Sequence, residues 1–146
     1  MVLDQSNFPE IKTFSSVIRY SLCFEEAAQE FYTKAAGLLS GQAELLNSLA
    51  ETHQKRYVLL EDTRQQKLNE MILEPISDVC REDFLPDTAL DTAAEVKTKA
   101  LALETLGGNF YEHLSKVSKE LSREAAKVYA RMAKENEKLK GKLAEL

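Results

Sequence analysis

Residues 74–88 read EPISDVCREDFLPDT and lie near the middle of a chain of 146 residues. They contain two of the three prolines in the sequence, and proline in a helix interior removes a hydrogen bond and clashes with the preceding turn. This stretch therefore predicts a non-helical connection, which we place at about residues 72–92. A connection of about twenty residues is long for a compact domain, so its length is informative about the topology.

Two amphipathic segments lie on each side of this connection, with apolar residues at steps of three and four. The predicted helices cover about 13–40, Leu45 to about Met71, about 93–117, and Ser122, as N-cap, to the end of the sequence. The layout is two short-looped helix pairs, about 13–71 and 93–146, joined by one long crossover. This arrangement predicts an all-α fold of the ferritin-like four-helix bundle type.

The composition predicts a single domain over residues 1–146. Hydrophobic residues make up 44% of the chain and charged residues 29%, which is ordinary for a soluble globular protein. A chain of this length can bury a core without disulfides or a structural metal. The net charge of -5 argues against nucleic acid as a partner, because a phosphate backbone requires a clustered basic surface.

The sequence also limits the compartment and the cofactors. The N-terminal residues lack a basic segment followed by an apolar run, and no stretch approaches the ~18 apolar residues of a membrane span. We therefore expect a cytoplasmic protein without membrane contact. Cys23 and Cys80 are far apart and belong to no CxxC pair, so we expect plain thiols and neither a zinc ribbon nor a rubredoxin-type centre.

The two halves of the chain resemble each other. FEEAAQEFYTKAA at 24–36 aligns with LETLGGNFYEHLS at 103–115 at a constant offset of 79, which pairs Glu25 with Glu104 and Tyr32 with Tyr111. LAETHQKR at 49–56 aligns with MAKENEKL at 132–139 at an offset of 83. We interpret this similarity as an internal duplication of a helix hairpin.

Glu25 and Glu104 lie on the apolar stripes of their helices. A carboxylate in a helix interface requires a cation, a metal or hydrogen bonds. Two carboxylates at equivalent positions of a duplicated bundle are the clearest functional signal in the sequence. The structural alternative is that they extend to solvent or bond nearby hydroxyls such as those of Tyr32 and Tyr111.

Helix-borne carboxylate–metal sites use one Glu from each of two helices and a Glu-x-x-His from each of the other two. In this chain the two Glu-x-x-His positions hold His53 with Arg56, and Asn136 with Leu139. His53 lies on the apolar stripe of the second helix. The place of a metal half-site is therefore present in this helix, but residues other than Glu and His occupy it.

The chain resembles the ferritin-like domain of the rubrerythrin family over nearly its whole length. The segments that carry the resemblance are Glu25 with AAQEFYTKAA, LAETHQKRYVLLE, FLPDT, Glu104 with NFYEHLSKV, and MAKENEKLKGKL. The resemblance implies a di-iron carboxylate site that handles hydrogen peroxide or oxygen, often supplied with electrons by a rubredoxin-like domain. Only Glu25 and Glu104 match the family's ligands, and Gly107 stands where a further carboxylate is often found.

Two interpretations of the site follow. If Arg56 points inward, it forms a metal-free network with Glu25 or Glu104, helped by His53 and Asn136. If Arg56 extends to solvent, Glu25, His53 and Glu104 can hold a single iron, manganese or zinc ion.

These interpretations lead to two functions. The first is a binding or structural protein, a homodimer as the resemblance suggests, with no cofactor, no catalytic residue and an unidentified protein partner. The second is a metal-dependent oxidoreductase, peroxidase or iron-handling protein with an altered ligand set.

Gly107 and Gly108 raise a separate question, because glycine in a helix interior costs about 1 kcal/mol relative to alanine. We expect them to permit close helix packing or to open a local bulge.

Overall fold

The computed structural model describes residues 4–67 and 74–146. Within them, four long helices form a bundle, which confirms the prediction of an all-α four-helix protein. The helices are α1 (Phe14–Leu38), α2 (Ala43–Lys67), α3 (Val96–Ser118) and α4 (Arg123–Leu143). The predicted end of the second helix near Met71 lies outside the described residues.

Side-chain caps explain where two of the helices begin. Thr13 precedes α1: its hydroxyl accepts a hydrogen bond from the Ser16 backbone N–H, and its own backbone N–H donates to the Ser16 hydroxyl, which forms a capping box. Ser122 accepts from the backbone N–H of Ala125 at 3.1 Å, which confirms it as the N-cap of α4. A single 3-10 turn at Ser40–Gln42 separates α1 from α2.

The helices pack as two hairpins, α1 with α2 and α3 with α4. The hairpins meet through α1 with α3 and α2 with α4, so α1 and α4 lie diagonally opposite each other. Two hydrogen bonds give the direction of α3 relative to α1: Tyr32 donates to Glu104, and Tyr111 donates to Glu25. The order of the partners reverses along the two helices, so α1 and α3 are antiparallel.

This direction explains the long connection between the hairpins. Because α2 and α3 both run antiparallel to α1, the chain must return along the bundle between them. Residues 74–92 are non-helical except for a short 3-10 turn. Contacts with α1 and the residue before it hold this connection against the bundle. Thr13 pairs with Pro75 in an isolated bridge, and the Tyr20 hydroxyl donates to the carbonyl of Arg81 at 2.8 Å.

The core combines aliphatic and aromatic side chains from all four helices and from the connection. Four tyrosines are among its largest fully buried side chains, and each places a polar hydroxyl inside the bundle. Within residues 4–67 and 74–146, no helix has the length and apolar character needed to cross a membrane.

Candidate functional site

Five charged or amide side chains meet in the interior, and at least one comes from each helix. None is more than 3% exposed. They are Glu25 on α1, His53 and Arg56 on α2, Glu104 on α3 and Asn136 on α4. Tyr32 and Tyr111 join them through hydrogen bonds. The structure thus brings together all seven residues that the sequence singled out, and we call them the core network.

His53 lies between the two carboxylates. Its Nδ1 is 2.6 Å from Glu25 Oε1, and its Nε2 is 2.8 Å from Glu104 Oε2. A neutral imidazole has only one N–H, so its other nitrogen would direct a lone pair at a carboxylate. Burial lowers the pKa of His53, but Glu104 and Glu25 outweigh it and raise the pKa to about 9. His53 is therefore an imidazolium that donates to both glutamates.

Arg56 points into the bundle. Its Nε and Nη2 donate to the two oxygens of Glu25 at 3.0 and 3.3 Å, in a forked arrangement. Nη2 also donates to Asn136 Oδ1 at 2.9 Å, and Nη1 donates to Glu135 Oε1 at 3.0 Å. The guanidinium carbon is 5.2 Å from the centre of the Tyr111 ring. The alternative in which Arg56 extends to solvent is wrong, since carboxylates, an amide and an aromatic ring surround its head.

The two tyrosines connect the hairpins reciprocally. Tyr32 of α1 donates to Glu104 Oε2 at 2.5 Å, and Tyr111 of α3 donates to Glu25 Oε2. Burial and the adjacent carboxylates raise the pKa of both phenols well above the usual value, so they remain donors. The part of the structural alternative in which the glutamates extend to solvent is wrong because both are fully buried, and the part in which they bond Tyr32 and Tyr111 is confirmed. Their bonds to the tyrosines run across the hairpin interface, and the two bonds are equivalent to each other in the aligned halves.

Asn136 completes the network from α4. Its Nδ2 donates to Glu104 Oε1 at 2.7 Å while its Oδ1 accepts from Arg56. A Cβ added to Gly107 would lie 2.9 Å from this Nδ2, whereas one added to Gly108 would approach Asn136 no closer than 3.5 Å. The helix continues through both glycines without a bulge. Of the two expectations, close helix packing is therefore the correct one, and it holds for Gly107.

The charges of the core network balance. Glu25 accepts four hydrogen bonds and Glu104 accepts three, which nearly fills the roughly four lone-pair sites of each carboxylate. Burial raises the pKa of Glu25, but Arg56 and His53 outweigh it and lower the pKa to about 2. The pKa of Glu104 is also lowered, chiefly because His53 outweighs burial. Two carboxylates, one guanidinium and one imidazolium are therefore neutral together.

The geometry bears on what metal the site could hold. In the described residues, no group of three or more His, Cys, Asp or Glu side chains is placed to bind a metal ion. His53 separates Glu25 from Glu104, so these three candidate ligands do not converge on one point. Arg56 and Leu139 occupy positions where a di-iron centre has imidazoles, and the residues present do not fit its four carboxylates and two imidazoles.

Sequence reasoning missed one participant. Glu135 pairs with Arg56 at 3.0 Å although its side chain is 45% exposed. It belongs to a charged run on α4 and has the pattern of an ordinary solvated residue. Only its position beside Asn136, a residue already singled out, could have drawn attention to it.

Comparison of the chain with protein-family models, with curated proteins and with solved structures gives no match.

Proposed function

We propose that this chain is a ferritin-like, rubrerythrin-like protein in which a salt-bridge network replaces the di-iron centre, and that it acts as a binding or structural protein. The resemblance of its segments to the rubrerythrin family supports the first part. The antiparallel arrangement of α1 and α3, with a connection that returns along the bundle, agrees with that topology. A cytoplasmic location, as the sequence predicts, completes the proposal.

The position of Arg56 is the observation that carries the proposal. Its guanidinium lies against Glu25 and Asn136, where the resemblance implies an imidazole ligand. The charge of arginine is permanent, so a divalent ion beside it would be repelled. The same charge neutralises the carboxylate that the ion would have neutralised. Arg56 is thus an electrostatic substitute for metal.

The state of His53 supports the same conclusion. To coordinate an ion, its ring would have to lose a proton and leave at least one carboxylate. The abandoned glutamate would then be buried without its principal partner, which is strongly unfavourable. Metal binding at this site must therefore disrupt a network that is already satisfied.

The test is metal stoichiometry. Protein purified without chelator and then exposed anaerobically to ferrous iron, manganese or zinc is analysed by mass spectrometry, and we expect close to no metal per chain. One or two ions per chain, with peroxide consumption that is lost in Glu104→Gln, would contradict the proposal and favour the metal-dependent oxidoreductase.

A second measurement separates the two functions by stability. Arg56→Ala leaves Glu25 buried without its guanidinium, so we expect the free energy of unfolding to fall by about 3–5 kcal/mol. Lys55→Ala, which alters a side chain 75% exposed on the same helix, is the control. A tolerated Arg56→Ala that gains metal affinity would show that the glutamates serve an ion.

A further inference from the structure

Charge is separated on the outer surface of the molecule. Residues 74–95, which form the connection and lead into α3, contain seven acidic residues and one basic residue. Helix α4 contains seven basic residues and three acidic ones. The connection crosses near α1, which lies diagonally opposite α4. The acidic and basic regions therefore face different sides of the bundle.

The acidic side contains a groove between α1 and residues 86–91, with a volume of about 1030 Å³. Its floor includes Ala27 and Phe31, whose side chains are each only 2% exposed. Its rim is mainly acidic: Glu26 and Asp91 are exposed there, beside one exposed cation, Lys34. The negative border defines this surface, and we call it the acidic groove.

The basic side has a smaller depression of the opposite character. It lies beside the start of α4, has a volume of about 480 Å³, and contains Ala126 and Ala130 at its apolar centre. Arg123 and Lys127 border it and are exposed, as are Lys119, at the start of the preceding turn, and one acidic residue, Glu120. We call this surface the basic face.

We infer that the acidic groove of one copy of the chain receives the basic face of a second copy. The rims carry mainly opposite charges, so the contact rests on charge pairing, because the apolar floors expose little area. The long side chains of Arg123 and Lys127 can reach across the rim toward Glu26 and Asp91. No residue of the core network takes part, so the inference stands independently of the proposed function.

The positions of the two surfaces determine the symmetry of the contact. They are different surfaces, and they lie on different sides of the bundle. A two-fold dimer needs the same patch on both partners, whereas this contact is heterologous and leaves one groove and one basic face free at the ends of each assembly. Association therefore extends head to tail as the concentration rises.

Sedimentation velocity at increasing protein concentration, in low and in high salt, tests the contact. We expect association at low salt and a loss of at least about tenfold in apparent affinity at high salt, because exposed charges are screened. A groove variant, Glu26→Lys with Asp91→Lys, and a face variant, Arg123→Glu with Lys127→Glu, are each expected to be monomeric. Far-UV circular dichroism and urea unfolding check that these surface variants remain folded.

A mixture of the two variants gives the decisive result. The groove variant retains a wild-type basic face, and the face variant retains a wild-type groove. Mixed, they should form a 1:1 complex that cannot grow further, and a chain that carries all four charge reversals should associate again.

Three outcomes would overturn the inference: a monomeric wild type at every concentration, association that neither salt nor the variants change, or a mixture that forms no complex. The first would leave the groove to a cationic partner other than this chain. The second would indicate a two-fold dimer through other faces. Neither outcome bears on metal binding in the core, so this failure is distinguishable from failure of the proposed function.

Discussion

Arg56 is in a setting that suits arginine and would not suit lysine. Its fork engages both oxygens of Glu25 while its third nitrogen reaches Glu135, and its plane lies against Tyr111. A lysine ammonium is a compact point charge and cannot make this bidentate contact. Helical spacing could show that position 56 lies near the apolar stripe of α2. It could not show whether the long side chain ends inside the bundle or in solvent.

Gly107 and Gly108 provide a matched pair of substitutions. Gly107→Ala places a Cβ 2.9 Å from Asn136 Nδ2 and 3.2 Å from a Phe24 ring carbon. Asn136 is held by hydrogen bonds at both ends, so it cannot move away without loss, and we expect Gly107→Ala to destabilise by about 1–3 kcal/mol. Gly108→Ala meets only ordinary contacts and should stabilise by up to about 1 kcal/mol.

Urea unfolding followed by circular dichroism measures both glycine variants. If the two alanines had the same effect, close approach at Gly107 would not be the reason for its glycine. A crystal structure of Gly107→Ala should show a displaced Asn136 amide.

His53 predicts how stability depends on pH. Its pKa is raised from 6.5 in the unfolded chain to about 9 in the folded protein. Its contribution is therefore fully present below pH 6.5 and is lost as the pH rises through about 9. We expect the free energy of unfolding to fall by about 3 kcal/mol across this window, from the difference between the two pKa values.

Urea unfolding at pH values between 6 and 9 measures this slope, and His53→Gln is the control because glutamine does not titrate. A wild-type slope equal to that of His53→Gln would show that His53 is neutral in the folded protein. The window must end near pH 9 because burial raises the pKa of the Cys23 thiol to about 11. Above pH 9 that thiol ionises more readily in the unfolded chain.

Residues next to each helix end determine where the helix begins and ends, so several of these boundaries could be predicted from the sequence. Ser122 was identified as an N-cap from its residue type and position, and the structure places its hydroxyl on the Ala125 N–H. The break between the first two helices, predicted between residue 40 and Leu45, was also identified correctly, since the turn Ser40–Gln42 lies there. Caps and breaks depend on neighbours in sequence, so no tertiary information is needed.

Ser122→Ala removes the cap of α4. The Ala125 N–H then loses its side-chain acceptor, and we expect the free energy of unfolding to fall by about 1 kcal/mol. Ser122→Asp retains an acceptor and adds a favourable charge at the helix N-terminus, so it should restore the loss. Thermal unfolding of the three proteins compares them, and equal midpoints for all three would exclude a capping role.

The core network adds charges and hydroxyls to the aromatic contacts that join the two hairpins, such as Phe24 with Phe110. Each tyrosine reaches the glutamate of the other hairpin, and His53 and Arg56 of the first hairpin reach Glu104 and Asn136 of the second. The similarity of the two halves is thus visible in the structure, since the tyrosine of each half bonds the glutamate of the other. The symmetry is incomplete, because the position related to Arg56 holds the buried alkyl side chain of Leu139.

In a network of this kind, removing both members of an ion pair should cost less stability than the sum of the two single removals. Arg56→Met leaves Glu25 without its guanidinium, and Glu25→Gln leaves Arg56 without its principal counter-ion. In the double variant neither charge is present, so we expect it to be more stable than the sum of the single effects by about 1–3 kcal/mol.

A double-mutant cycle in urea measures this coupling. The control cycle is Lys55→Met with Glu51→Gln, an exposed pair on the same helix at 3.3 Å, for which we expect little or no coupling. If the Arg56 and Glu25 effects were additive, Arg56 would not act as the counter-ion of Glu25.

The sequence was sufficient to identify four helices, their order, the long connection and the seven residues of the core network. These features depend on periodicity, composition and local capping, which are recorded along the chain. It could not decide whether Arg56 points inward, which glutamate each tyrosine bonds, whether His53 carries one proton or two, or that Glu135 takes part. Those outcomes depend on which side chains from four different helices share one buried volume, and there the requirement that every buried charge find a partner determines the arrangement.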